Sequence, residues 1–295
     1  MPSRVRLGLV GAGAWGRNYI DTIAALPAVR LAGVAGRHDW RSLIETGLDG
    51  LIIATPTATH AEIASAAMER GLHVLIEKPL TMDVAQARAL ARQAAAMRLT
   101  AMVEHTQLFH PGFRALKSVL PGLGPLRAIR SRAGRIGPFR ADTPPLWDWG
   151  SHDIAMCLDV MSAKPLRSSA MKVATARHGA DSGESIQIEL EFAAAVRATL
   201  LVSNILAVKT RRFEALCERG TVVYDEHQSP GVVLVNERPT HYAAEPPLTV
   251  AVREFAESIA AGRSDARSLE LGVSVVEVLS ECAASIAQAT GRGTG

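Results

Sequence analysis

Residues 5–26, "VRLGLVGAGAWGRNYIDTIAAL", constrain the fold of this chain more than any other stretch. A short apolar run enters a cluster of glycines and leaves it as apolar residues at helical spacing, which predicts a strand, a tight turn and a helix. Gly11, Gly13 and Gly16 fit G-x-G-x-x-G. In a unit of this kind the first glycine permits the turn, the second lets a pyrophosphate approach the backbone, and the third lets the helix pack closely on the strand. The amides at the helix N-terminus are then free to meet the phosphates. Ala14 and Trp15 fall in that first turn and are expected to contact the dinucleotide with the three glycines.

A second strand, "VRLAGVAG", should end where the adenosine ribose lies. An acid at that point accepts from the ribose hydroxyls of NAD, whereas the 2′-phosphate of NADP calls for a cation. The chain has Gly36, Arg37 and His38 there, which reads as a preference for NADP with Arg37 and His38 on the phosphate. NAD stays possible, because Asp39 is close enough to shift the register. Between Arg37 and the next strand there is room for one short helix only. The sheet is therefore expected to lack one edge strand, leaving the adenosine side open.

Alternation then continues, with a strand at 50–54, a helix at about 59–70, a strand at 72–76, a helix at about 83–97 and a strand at about 99–104. Strands separated by helices imply a parallel sheet with right-handed crossovers. Ligands gather at the carboxyl ends of such strands. Those ends carry Thr55, Pro56 and His60 in "ATPTATH", and Glu77, Lys78 and Pro79 in "IEKPL". Thr55, Pro56, His60, Glu77 and Lys78 are accordingly assigned to the cofactor site.

From about residue 106 the pattern changes. "ESIQIELEF" alternates strictly, with Ile186, Ile188, Leu190 and Phe192 on one face. "LRAIRSRA", "RATLLVS", "RRFEALCE", "TVVYDE" and "GVVLVN" are further strand candidates with no helix after most of them, so an open, mostly antiparallel sheet is expected. Helical spacing returns from Ala251 to Ala261 and from Leu269 to Ala289, and the terminal "TGRGTG" is expected to fray. The chain thus reads as α/β, with a Rossmann dinucleotide-binding domain over 1–105 and an α+β domain over 106–295, to which the family resemblance given below assigns substrate binding and oligomerisation. Its 295 residues suit two domains.

"PPLWDWGSHDI" places Asp148 and His152 four positions apart ahead of a helical pattern. If the turn is already helical, both side chains lie on one face, one turn apart. On spacing alone, a cap by Asp148 or Ser151 with His152 packed in the core is the better account of the stretch.

Together, "GAGAWG", "ATPTATHAEIASAAMERGLHVLIEKPL" and "DWGSHD" resemble the glucose-fructose oxidoreductase, inositol dehydrogenase and rhizopine catabolism (Gfo/Idh/MocA) family over nearly the whole chain. The resemblance implies a nicotinamide cofactor, with Lys78 reaching the reacting carbon, Pro79 shaping the turn, and the D-x-G-x-H pattern of Asp148 and His152 at the site. It also implies a homo-oligomer, dimer or tetramer, assembled on the open sheet face. "HTQLFHPGFRALK" and the stretch through "DWGSHDIAM" look most like members associated with nucleotide-sugar and surface-polysaccharide biosynthesis. Two departures from the family pattern are the short segment after Arg37 and the missing acid at Gly36.

The chemistry this predicts is hydride transfer between nicotinamide and a hydroxyl or keto carbon of a sugar, polyol or sugar nucleotide. A histidine side chain, whose unperturbed pKa lies near neutrality, suits the role of general acid/base, and His152 is assigned to it. Lys78 would favour alkoxide-like charge on the same oxygen, and Asp148 would orient the imidazole or hold a neighbouring hydroxyl. Competing readings are redox-neutral sugar chemistry on tightly bound NAD and a non-catalytic NAD(P)-binding sensor. His105 and His110 are candidates to line the cleft but do not complete a metal-ligand set. Arg130 and Arg132 share a strand face and, with Lys209, Arg211 and Arg212, raise the idea of an anionic substrate against that of a solvated face.

Net charge of +3 with dispersed charges gives no argument for nucleic acid. Cys157, Cys217 and Cys282 have no ligand spacing and read as buried free thiols. No leader-like or membrane-length apolar run is seen, so a cytoplasmic protein is expected.

Overall fold

The computed structural model describes residues 4–140 and 143–292. In chain order the elements are β1 (Val5–Val10), α1 (Ala14–Ala24), β2 (Val29–Ala35), α2 (Trp40–Leu43), β3 (Gly50–Ile53), α3 (His60–Glu69), β4 (His73–Glu77), α4 (Val84–Ala96), β5 (Ala101–Glu104) and α5 (Thr106–Phe109). There follow α6 (Pro111–Val119), β6 (Leu126–Ile136), α7 (Pro145–Asp148), α8 (Gly150–Met161), β7 (Arg167–His178), β8 (Asp181–Glu191), β9 (Arg197–Ser203) and β10 (Ile205–Cys217). The chain closes with β11 (Gly220–Asp225), β12 (Val232–Val235), β13 (Arg238–His241), α9 (Pro247–Ala260) and α10 (Arg267–Arg292). Two compact units emerge, Met1–Phe109 with Pro246–Val276, and His110–Glu245 with Glu277–Gly295.

The first unit carries a five-stranded parallel sheet in the order β2-β1-β3-β4-β5. β2 is the edge, and only α2 lies between it and β3. The outermost strand of an ordinary dinucleotide-binding half is thus absent, as the short segment after Arg37 predicts. Leu7, Leu9, Ile52 and Leu75 are buried on one face of the sheet and Leu51, Ile53, Val74 and Ile76 on the other, which explains why these strands read as continuous apolar runs. α9 returns to this unit and packs Ala251, Val252 and Phe255 into the core that holds Leu7, Leu9 and Tyr19.

The second unit holds an eight-stranded sheet, β13-β12-β11-β10-β6-β9-β8-β7. Every pairing is antiparallel except β6 with β9. Ile186, Ile188, Leu190 and Phe192 are all buried, as their alternation requires. Ser185 breaks the alternation: it too is buried, its hydroxyl 2.8 Å from that of Ser203 across the β8–β9 pair. β7 had no apolar alternation to reveal it, since nearly all its side chains are exposed on the sheet edge. Residues 106–119 stay largely helical, and α10 runs through Arg292, with 293–295 outside the described residues. Cys157 and Cys282 are buried free thiols, while Cys217 is partly exposed. Among the described residues no helix is long and apolar enough to cross a membrane.

Candidate functional site

At the end of β1 the chain turns through Gly11, whose φ of +102° favours glycine. A Cβ there would stand 2.4 Å from the Ala54 carbonyl oxygen, and one on Gly16 only 1.9 Å from that of Gly11. Both glycines are therefore set by close backbone approach. Gly13 differs. It precedes α1 in an ordinary extended conformation, and a Cβ there would meet nothing within 4 Å. No side chain caps α1, and no acid occupies its first turn. An uncapped helix N-terminus with Gly13, Ala14 and Trp15 exposed and open space above Gly13 suits the charge and the close approach of a dinucleotide pyrophosphate.

Arg37 and His38 are exposed just beyond β2, with Arg37 Nε donating to His38 Nε2 at 2.9 Å. Asp39 also comes near, its Oδ2 lying 3.6 Å from where a side chain on Gly36 would begin. At the end of β3, Thr55 is buried and its hydroxyl receives from that of Thr59 at 2.7 Å, while Pro56 opens the turn toward α3. His60 is buried too. Its Nε2 lies 2.8 Å from the Thr55 carbonyl and its Nδ1 3.1 Å from that of Pro79, so the ring ties the turn after β3 to the one after β4. Burial holds its pKa below the ordinary histidine value.

β4 delivers Glu77, Lys78 and Pro79. Glu77 is buried and accepts from Trp15 Nε1 and, at 2.7 Å, from Tyr19 Oη, so α1 grips the end of β4 through this carboxyl. Lys78 is half-buried. β5 ends in Glu104, whose Oε2 receives from Thr106 Oγ1 at 2.5 Å. Burial pushes Glu77 up to about 7; burial and then the charge of Glu77 push Glu104 up to about 8. His105 is fully enclosed, and burial followed by the Lys78 charge lowers it to about 3. Its ring stays neutral in the core.

In the second unit α7 passes into α8 through Trp149, which keeps helical dihedrals, so the condition for a shared face is met. Asp148 and His152 stand one turn apart and half-buried, while Ser151 and Asp153 beside them are buried. Ser151 Oγ donates to the Asp148 carbonyl at 3.0 Å, and no side chain caps α8. Trp147 is a core residue.

Asp153 is the residue that sequence reasoning missed. It receives from Ser131 Oγ and, at 2.6 Å, from Arg211 Nη1, all three buried. Burial pushes the Asp153 carboxyl up, and Arg211 pulls against it. A guanidinium cannot shed its proton, so an enclosed Arg211 requires the carboxylate beside it. Arg211 also lies over the Trp149 ring at 5.3 Å, bracing the turn that presents His152. It is thus occupied within the fold, whereas Arg130 and Arg132 lie exposed on the outer sheet face opposite Glu214 and Arg212. His110 begins α6, accepting from Gly112 N at 3.1 Å, with its ring 5.0 Å from that of Tyr224.

Two family models match the chain, the Gfo/Idh/MocA oxidoreductase family, NAD-binding Rossmann fold, over residues 38–105, and the Gfo/Idh/MocA C-terminal domain over 123–223. A crystal structure from Magnetospirillum magnetotacticum MS-1, provisionally termed an oxidoreductase, is 38% identical with a TM-score of 0.89, covering 95% of this chain and 100% of that one. UDP-N-acetylglucosamine 3-dehydrogenase of Acidithiobacillus ferrooxidans is 27% identical over 88% of this chain and 90% of its own length. Inositol 2-dehydrogenase of Rhizobium meliloti is 24% identical over 80% and 77%. With both halves matched and a full-length relative of this similarity, the chain belongs to the Gfo/Idh/MocA family of NAD(P)-binding oxidoreductases.

Proposed function

We propose that this protein is a dehydrogenase or reductase that prefers NADP and acts on a hydroxyl or keto carbon of a sugar, polyol or sugar nucleotide. The substrate class is supported by the named activities of the two relatives above. The observation that carries the reading is that Asp148 and His152 stand one turn apart on one helical face and, with Trp149, stay only partly buried while Trp147, Gly150, Ser151 and Asp153 around them are buried. A histidine that merely packed would share their burial.

Gly11, Gly13, Ala14, Trp15 and Gly16 hold the pyrophosphate, Arg37 and His38 the adenosine phosphate, and Thr55, Pro56, His60 and Glu77 shape the turns around Lys78. Nicotinamide, when bound, supplies the acceptor or donor of hydride. His152 takes the hydroxyl proton during oxidation and returns it during reduction. Lys78 donates to the same oxygen and favours its alkoxide-like form. Asp148 orients the imidazole.

The test is a titration of cofactor-stripped protein with NADPH and NADH, followed by nicotinamide fluorescence and then by turnover of sugars and sugar nucleotides. NADPH should bind more tightly, and Arg37→Ala should remove the difference. His152→Ala should lower turnover by about 100-fold or more while leaving cofactor affinity intact; unchanged turnover would sink the assignment. A second reading, NAD preference, draws on the nearness of Asp39 to Gly36. It expects NADH to bind more tightly, with Asp39→Ala rather than Arg37→Ala weakening it.

A further inference from the structure

The first unit buries two carboxyls beside Lys78, and the reaction proposed above uses neither as an acid or base. Parallel register makes Glu77 and Glu104 the last partners of β4 and β5, and neighbouring strands lie about 4.8 Å apart. The two carboxyls are differently served. Glu77 receives donors from both Trp15 and Tyr19, as a carboxylate does. Glu104 has Thr106 alone, and its Oε1 is buried with no hydrogen-bond partner among the described residues.

The titratable groups of this unit that face the pair are Tyr19 from α1, Lys78 after β4 and His105 after β5. Burial keeps Tyr19 protonated and His105 neutral. One cation therefore faces two acids. Like charges this close and out of water do not both ionise, and the carboxyl with fewer donors keeps the proton. The upward displacement of both groups, larger at Glu104, points the same way.

We propose that Glu104 is a neutral carboxylic acid at pH 7 beside an ionised Glu77, so that Lys78 meets a single negative charge and Glu104 acts as its positioning residue. The positioning half rests on the reading of Lys78 given above; the protonation half does not.

The experiment is a carbon NMR titration of the cofactor-free full chain, labelled at the glutamate carboxyl and lysine Cε carbons, from pH 5 to 9. Glu104→Gln, Glu77→Gln and Lys78→Arg assign the signals. One carboxyl should remain protonated at pH 7 and vanish in Glu104→Gln. Glu77→Gln removes the neighbouring charge and should lower the Glu104 midpoint by one pH unit or more, a tenfold change in proton affinity, whereas Glu104→Gln should leave the Glu77 midpoint nearly in place. The Lys78 Cε shift should follow the deprotonation of Glu104 in the parent chain and lose that step in Glu104→Gln. Thr106→Val, which removes the hydroxyl donor to Glu104 and keeps the backbone one, should raise its midpoint and serves if Glu104→Gln does not fold. Glu104 ionised at pH 7, or a Glu104 midpoint that does not fall in Glu77→Gln, would overturn the protonation half. A Lys78 shift blind to Glu104 would overturn the positioning half. Because neither cofactor nor substrate is present, failure of the enzymatic reading would show separately, as unchanged turnover in Lys78→Ala.

Discussion

Replacing Gly13 by alanine separates two demands that glycine meets in this turn. Its φ of −67° and ψ of −167° are open to any L-residue, and the added Cβ meets no protein atom within 4 Å. The fold should lose only the preference for glycine over alanine at a helix N-cap, up to about 1 kcal/mol. A bound pyrophosphate would instead meet the methyl where it approaches the backbone. Overpacking of that kind costs about 1–3 kcal/mol, which is about 5-fold to about 150-fold in Kd. Titration with NADPH, read by nicotinamide fluorescence, should show that weakening while the melting temperature stays nearly constant. Gly16→Ala is the contrasting control, since its Cβ would fall 1.9 Å from the Gly11 carbonyl oxygen and must disturb the fold itself. An unchanged Kd in a folded Gly13→Ala protein would refute the claim that this turn receives the pyrophosphate.

Asp153→Ala strands the buried Arg211 guanidinium and should cost about 3–5 kcal/mol in denaturant unfolding; adding Arg211→Met should recover part of the loss, and equal losses in the single and double variants would contradict the ion-pair account. Glu77 and Glu104 bind protons more tightly folded than unfolded, so together they lower stability as pH rises from the ordinary carboxylate range near 4.5 through about 7 and 8. Glu104→Gln should therefore raise the melting temperature relative to the parent at pH 8 and leave it nearly unchanged at pH 5; the same offset at both pH values would contradict the assignment.

Much of the fold was legible because its signals are local. Glycine positions, the alternation of apolar strands with helices, and the period-two pattern of β8 all follow from short-range sterics and from which face is buried. The absent edge strand was legible as a lack of residues between Arg37 and β3. β7 was not, because a strand exposed at a sheet edge needs no apolar alternation. Asp148 and His152 were legible as a spacing, but whether the turn was already helical lay in the dihedrals of Trp149. The burial of His60 and His105 could not be read at all, since a histidine in sequence gives no sign of which carbonyls or core residues will surround it.

What the sequence determined by itself is thus the class of the chain: a glycine turn between strand and helix, a lysine at a strand end, and a histidine four residues after an aspartate. What tertiary structure decided is the company those residues keep. Strand register brings Glu104 opposite Glu77, residues 27 apart in sequence, and pairing of β6 with β10 encloses Arg211 against Asp153, 58 apart. The state of a charged group depends on its distance from other charges and from water, and both are set only when the sheets form.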